Sequence, residues 1–139
     1  MKTPIGLDRA DCLAIHEVML AQHGGLAGVR HDNMLESAIA RPHHLFAYGS
    51  PAPADLAAAY AAGIIRNHPF LDGNKRTGFM AGMAFLELNG LEFTAPEVDA
   101  VVQTLALAAD ALDEGGYAAW LKKNSRRRPV RSVRSPKAR

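Results

Sequence analysis

Apolar residues recur at helical spacing along almost the whole chain, and no stretch longer than a few residues alternates as a β-strand does. The segments with helical spacing are separated by glycine, proline or capping residues, which commonly mark helix ends. Residues 56–67 are apolar on nearly every side, which is typical of a buried central helix. The sequence therefore predicts a single all-α bundle of about six helices, over residues 7–23, 32–41, 56–67, 74–89, 96–112 and 117–124.

Length and charge predict one folded domain followed by a basic tail. The 139 residues are enough for one hydrophobic core. Residues 122–139 contain nine Lys or Arg and no acid, whereas residues 1–121 contain seven basic and 14 acidic residues. We therefore expect a folded domain over residues 1–121 and a disordered tail over residues 122–139. Such a tail can contact nucleic acid or the acidic body of the protein.

The cellular compartment is predicted from features that the sequence lacks. A single cysteine, Cys12, cannot form an internal disulfide, so nothing indicates an oxidising compartment. Residues 1–8 contain no apolar core of signal-peptide length, and no apolar run approaches the 18 or so residues of a membrane span. We expect a cytoplasmic protein that does not interact with membranes.

A polar segment, His-Pro-Phe-Leu-Asp-Gly-Asn-Lys-Arg-Thr-Gly over residues 68–78, lies between the two most apolar predicted helices. Gly73 permits a bend that turns amide N–H groups toward a common point, and Asn74 begins a helix whose first N–H groups are unpaired. Lys75 and Arg76 oppose the helix dipole there, at a cost of up to about 1 kcal/mol each, and a bound phosphate reverses the sign of that effect. These four residues therefore predict a phosphate-binding site.

Two more side chains of the same segment suit the transfer of a phosphate-containing group. His68 ends the preceding helix, and a neutral imidazole can accept the proton of an attacking hydroxyl. Asp72 precedes the glycine turn, and its carboxylate can hold Mg²⁺ while phosphate oxygens complete the metal's shell. We therefore predict that His68 and Asp72 are catalytic and that the reaction moves a phosphoryl or nucleotidyl group.

The pattern His-x-Phe-x-Asp-Gly-Asn followed by Lys-Arg-Thr resembles the signature loop of the Fic/Doc superfamily. It is most similar to the death-on-curing (Doc) branch, the toxins of bacterial and phage toxin–antitoxin modules, and the likeness covers about residues 5–121. In the wider Fic family, whose members mostly move AMP from ATP to a protein hydroxyl, a glycine stands at the position of Lys75 and a second arginine at that of Phe79. Both departures are typical of the death-on-curing branch, which binds the nucleotide in the opposite orientation to the AMP-transferring enzymes.

This resemblance implies a kinase activity and two protein partners. It implies that the γ-phosphate of ATP, with Mg²⁺, is placed on a threonine of elongation factor Tu, which halts translation. His68 is then the base, Asp72 the magnesium-associated carboxylate, and residues 73–76 the phosphate-binding group. A predicted loop over residues 42–53, around Phe46 and Tyr48, corresponds to the flap that aligns the target. The self-inhibitory helix pattern of the family is missing, so the inhibitor is expected to be a separate antitoxin chain that folds on binding.

Three other functions are compatible with the residues. Transfer of AMP is the first, because the preference for kinase activity depends chiefly on Lys75. A metal-dependent phosphohydrolase is the second, because His31 and Asp32 form a His-Asp pair, although Asp32 is also a natural helix cap. The further ligands that such a site recruits are His16, His43 and His44. A non-catalytic module that keeps only the anion site, or a nucleic-acid binder acting through the tail, is the third.

Overall fold

The computed structural model describes residues 3–129, which form six α-helices and two short strands. The helices are α1 (Arg9–His23), α2 (Asp32–Tyr48), α3 (Pro53–Asn67), α4 (Asn74–Leu88), α5 (Glu97–Ala108) and α6 (Glu114–Lys123), and the strands are β1 (Leu91–Phe93) and β2 (Ser125–Arg127). The predicted all-α bundle of about six helices is confirmed. None of these helices combines the length and apolar content that crossing a membrane requires.

Helix α3 is the centre of the bundle, and its packing against α4 determines where the polar segment lies. Ten of its 15 residues are buried. Gly78 of α4 allows close approach, because a Cβ at that position would lie 2.9 Å from the carbonyl oxygen of Ala61 and 2.7 Å from Cγ1 of Ile65. Residues 68–73 therefore connect two closely packed helices at one end of the bundle.

Helix α2 continues seven residues beyond the predicted end at residue 41, so the prediction of a loop over residues 42–53 is wrong. Proline removes one helical hydrogen bond and crowds the preceding turn, which is why it indicated a helix end. Leu35, Ala38 and Pro42 nevertheless follow one another at helical spacing and are buried on one face of α2. This tertiary packing outweighs the local cost of Pro42, and the connection to α3 shrinks to residues 49–52.

The predicted boundary at residue 121 is also placed too early, since α6 continues to Lys123 and β2 follows it. Strand β2 pairs antiparallel with β1, and Nε of Arg126 lies 2.5 Å from Oε1 of Glu92. Arg128 donates from Nη2 to the carbonyl oxygen of Glu87 at 2.8 Å. The first part of the basic segment is thus ordered against the acidic body, while residues 130–139 lie outside the described residues.

Candidate active site

Helix α3 ends at His68 in a strained backbone conformation. His68 has φ 53° and ψ 51°, the left-handed region that residues other than glycine rarely adopt, and its N–H donates to the carbonyl oxygen of Ile64 at 3.1 Å. This sharp turn sends Pro69 and Phe70 into the core, where both are buried, and leaves the His68 side chain exposed. The strain, of the order of 1 kcal/mol or more, is therefore tied to the presentation of an imidazole at the end of the bundle.

Asn74 closes the loop with three hydrogen bonds from a side chain that is only 3% exposed. Its Oδ1 accepts from the N–H of Phe70 at 3.0 Å, while its Nδ2 donates to the carbonyl oxygen of Phe70 at 3.0 Å and to Nδ1 of His68 at 3.2 Å. An amide nitrogen only donates, so Nδ1 of His68 is the acceptor. A neutral His68 ring in this arrangement carries its proton on Nε2.

The start of α4 has the features of an anion site. Gly73 is in the left-handed conformation (φ 76°, ψ 21°), no side chain caps the helix, and no acid lies in its first turn. Lys75 and Arg76 are exposed, and neither forms an ion pair with any other residue in 3–129. Uncapped N–H groups, the positive end of the helix dipole and two cations therefore meet at one place, and together they favour a phosphate group.

Asp72 lies on the exposed side of the same turn, and its carboxylate fits a magnesium ion that is shared with a nucleotide. Oδ1 accepts from the N–H of Gly73 at 2.9 Å, and Oδ2 accepts from the N–H of Leu26 at 3.3 Å. Each carboxylate oxygen keeps a further lone pair. Mg²⁺ in nucleotide sites commonly binds through one or two carboxylates, with phosphate oxygens and water as the other ligands. A single exposed Asp beside an anion site matches that arrangement.

The ligand set for a metal-dependent phosphohydrolase is not brought together. Among residues 3–129, no three His, Cys, Asp or Glu side chains are grouped closely enough to hold a metal ion. Asp32 does not cap α2 as predicted, because the cap position belongs to His31 and the Asp32 carboxylate lies 2.7 Å from Nη2 of Arg9. His16 is buried in α1 instead, with its Nε2 2.8 Å from the carbonyl oxygen of Asp72.

Residues 24–31, between α1 and α2, lie directly against the polar loop, a position that the sequence alone did not predict. Val29 forms an isolated antiparallel bridge with Phe70. The N–H of Leu71 donates to the carbonyl oxygen of Gly28 at 3.0 Å, which extends the same backbone pairing. The loop is thus held on one side by a strand-like segment whose paired residues lie 41 and 43 positions earlier in the chain.

The glycines of this segment were the signal that could have revealed it. Gly24 and Gly25 directly follow the predicted helix over residues 7–23, and Gly28 follows them after two residues. A Cβ at Gly25 would lie 2.9 Å from Oδ2 of Asp72, and the backbone there has φ 122°. Only glycine therefore allows the segment to approach the carboxylate this closely.

Phe46 and Tyr48, which were predicted to form the target flap, lie elsewhere. Both belong to the last part of α2, where Phe46 packs on the core and Tyr48 is 89% exposed. Tyr48 lines a shallow groove together with Asp55, which is in the first turn of α3, whereas His68 follows the last turn. The rise of α3 separates these two ends by about 20 Å. The structure therefore places these two residues near the opposite end of α3 from His68, away from the polar loop.

Comparison with known proteins agrees with the loop geometry. A profile of the Fic/DOC family matches residues 6–86, which include the polar loop and helices α1 to α3. The chain is 39% identical to Toxin Doc of Mycolicibacterium smegmatis over 92 residues, and the aligned region covers 64% of this chain and 68% of that protein. It is 31% identical to Protein kinase doc of Escherichia phage P1 over 90 residues, and this aligned region covers 63% of this chain and 71% of that protein. The chain belongs to the Fic/DOC family.

Proposed function

We propose that this protein is the toxin of a toxin–antitoxin module and that it phosphorylates a translation factor. In this proposal the γ-phosphate of ATP, with Mg²⁺, is transferred to a threonine hydroxyl of elongation factor Tu in the cytoplasm. The names of the two relatives, Toxin Doc and Protein kinase doc, support the general class of activity. Elongation factor Tu as the target comes from the resemblance of the loop to the death-on-curing branch.

The observation that carries kinase activity over AMP transfer is the pair of departures at Lys75 and Phe79. Lys75 is exposed in the first turn of α4, where its ammonium group adds charge and volume to the anion site. Phe79 packs edge-on against Phe93 with ring centroids 6.2 Å apart, so this position offers a phosphate no cation. The loop therefore keeps one cluster of cations at the helix start and lacks the second arginine of the AMP-transferring loops.

The proposed reaction assigns one role to each polar group of the loop. The threonine oxygen attacks the γ-phosphorus, the bond to the β–γ bridging oxygen breaks, ADP leaves, and the hydroxyl proton passes to His68. Nδ1 of His68 accepts from Asn74 at 3.2 Å in the free loop, so a hydroxyl that delivers its proton to Nδ1 first displaces this contact. The first-turn amides, Lys75 and Arg76 stabilise the charge on the phosphate oxygens. Mg²⁺, held by Asp72, neutralises further phosphate charge when it is bound.

Residues 24–31 take the role of the target flap in this proposal. They lie beside Phe70 and Asp72, and Leu26 is 66% exposed there. Leu26→Arg should reduce phosphorylation of the target about tenfold, the factor for a contact of about 1.4 kcal/mol, because in this proposal the exposed side chain faces the protein substrate. Val98→Arg is the matched control, since Val98 is 71% exposed on α5. Equal loss in both variants would refute the flap assignment.

An antitoxin is the second proposed partner. One of the relatives is named Toxin Doc. In a toxin–antitoxin module, the toxin is kept inactive by a bound antitoxin chain. Expression of this protein alone should stop growth, and co-expression of its antitoxin should restore it. Normal growth with soluble, active protein and no antitoxin would count against this part of the proposal.

The decisive test of the reaction is the intact mass of purified elongation factor Tu after incubation with this protein, ATP and Mg²⁺. A gain of about 80 Da, the mass of one phosphoryl group, is expected. His68→Ala should abolish the gain, and His44→Ala should not, since His44 is an exposed histidine near the other end of α3. A gain equal to AMP would establish the alternative transfer, and no gain would exclude this target.

Lys75→Ala tests the anion site directly. Loss of a charge-assisted contact of about 1.5–3 kcal/mol should lower kcat/KM for ATP roughly 10-fold to 150-fold. Lys122→Ala is the matched control, because Lys122 is an exposed lysine in the last turn of α6. If both variants keep the activity of the natural protein, Lys75 does not contact the transferred phosphate.

A further inference from the structure

His16 of α1 makes two contacts with the catalytic loop although it lies outside the loop motif. Its side chain is only 4% exposed. Nε2 lies 2.8 Å from the main-chain carbonyl oxygen of Asp72. The ring also stacks on that of Phe70, with centroids 3.8 Å apart and planes 10° from parallel. One buried imidazole thus contacts the loop at two residues that are 54 and 56 positions later in the sequence.

The chemistry of the acceptor determines the state of the His16 ring. A carbonyl oxygen only accepts, so Nε2 of His16 must carry a proton and donate it. Stacking against Phe70 requires a flat ring, and donation to Asp72 requires an N–H in the plane of that ring. Among uncharged side chains of this size, histidine meets both requirements. Phenylalanine has no donor, and glutamine has no ring.

We propose that His16 is a positioning residue for the catalytic loop. By holding the Asp72 carbonyl, it sets the orientation of the peptide that leads into Gly73. That orientation directs the Asp72 carboxylate, whose oxygens accept from the N–H groups of Gly73 and Leu26 at 2.9 and 3.3 Å. A Cβ at Gly73 would lie 3.8 Å from Nε2 and Cδ2 of His16, so the ring also packs against the turn. The role in phosphate transfer depends on the proposed function, whereas the effect on loop order does not.

Two substitutions separate the contributions of the ring. His16→Phe keeps a flat ring that can stack on Phe70 and removes the donor, while His16→Gln keeps an N–H donor at a similar distance from the backbone and removes the stack. His23→Phe is the control for the same change on the same helix, since His23 is exposed in the last turn of α1. Leu71 reports on loop order, because its N–H donates to Gly28 at 3.0 Å.

Hydrogen exchange of the Leu71 amide, followed by NMR, tests the inference without nucleotide. His16→Phe should speed this exchange about tenfold, the factor for one hydrogen bond of about 1.4 kcal/mol, relative to the natural protein and His23→Phe. His16→Gln should recover most of the protection. If Leu71 in His16→Phe exchanges as slowly as in the natural protein, the inference is overturned. If His16→Phe does not fold, an unchanged rate in His16→Gln supports the donor role, and a rate as fast as the unprotected chain overturns it.

Phosphate transfer provides a second measurement. His16→Phe should lower kcat about tenfold with little change in KM for the protein target, because the target surface is untouched, and His16→Gln should restore most of kcat. Equal kcat values in His16→Phe and the natural protein would overturn the catalytic part of the inference. If the natural protein itself neither binds Mg·ATP nor transfers phosphate, the proposed function fails, and the exchange of Leu71 still decides whether His16 orders the loop.

Discussion

Replacing Asn74 with alanine should destabilise the fold and abolish most of the activity, and the two effects can be separated. The change removes three hydrogen bonds, two to the backbone of Phe70 and one to His68. Each such bond contributes about 0.5–1.5 kcal/mol, and the buried N–H and C=O groups of Phe70 lose their partner. Three such bonds together contribute about 1.5–4.5 kcal/mol. Because Asn74 is only 3% exposed, we expect a loss near the upper end of this sum, about 3–4 kcal/mol in the free energy of unfolding.

A domain of this size usually has about 5–15 kcal/mol of stability, so Asn74→Ala should remain folded at 25 °C. Urea denaturation followed by circular dichroism measures the loss. In the folded variant, His68 and the turn at Gly73 are no longer held in register. A displacement of about 1 Å at a catalytic group can cost about 100-fold in rate, which is the reduction we expect in kcat for phosphate transfer.

Asn89, at the other end of α4, is the matched control. Its side chain also makes three hydrogen bonds, two with the backbone of Ile5 and one with the carbonyl oxygen of Phe85. Asn89→Ala should cost about 1–2 kcal/mol, less than Asn74→Ala because water can replace part of what is lost, and its kcat should stay near that of the natural protein. Equal kcat in the two variants at a temperature where both are folded would refute the proposed role of Asn74 in phosphate transfer.

Two further predictions concern stability. Gly78→Ala places a methyl group 2.9 Å from the carbonyl oxygen of Ala61 and should lower the free energy of unfolding, measured by urea denaturation, by about 1–3 kcal/mol. Gly115→Ala is the control, because the nearest neighbour of the added methyl group lies at 3.6 Å, and it should change this free energy little. Similar losses in both variants would show that α3 and α4 can move apart to accept the methyl group. Burial raises the pKa of Tyr117 from 10.0 to about 12 and that of the Cys12 thiol from 9.0 to about 12. At high pH the unfolded chain therefore loses these two protons more readily than the folded protein does, which favours unfolding. The free energy of unfolding should therefore keep its full value below about pH 9 and fall as the pH rises toward 12. In Tyr117→Phe this fall should be about 3 kcal/mol smaller. The same fall in this variant and in the natural protein would contradict the reasoning.

Much of this protein could be predicted from contiguous residues. The helices follow from the spacing of apolar side chains, and the proposed anion site follows from Gly73, Lys75 and Arg76, because a bend, unpaired amides and adjacent cations are all local properties. The structure places His68 and Asn74 in one hydrogen-bonded unit with this site. Their assigned roles in the reaction stay predictions that the variants above can test.

What the sequence did not reveal depends on contacts between distant residues. Pro42 continues a helix because α2 packs on α3, and the beginning of the basic tail forms β2 because β1 and an acidic surface are available to it. Residues 24–31 and His16 reach the polar loop through backbone pairing and a single buried ring. The glycines at residues 24, 25 and 28 permit a close approach, but no local pattern says which part of the chain is approached, since such contacts arise only when the helices pack. The sequence by itself therefore determined the helices and the polar residues that the loop presents, because both are local properties, and only the tertiary structure decided which other parts of the chain hold that loop in place.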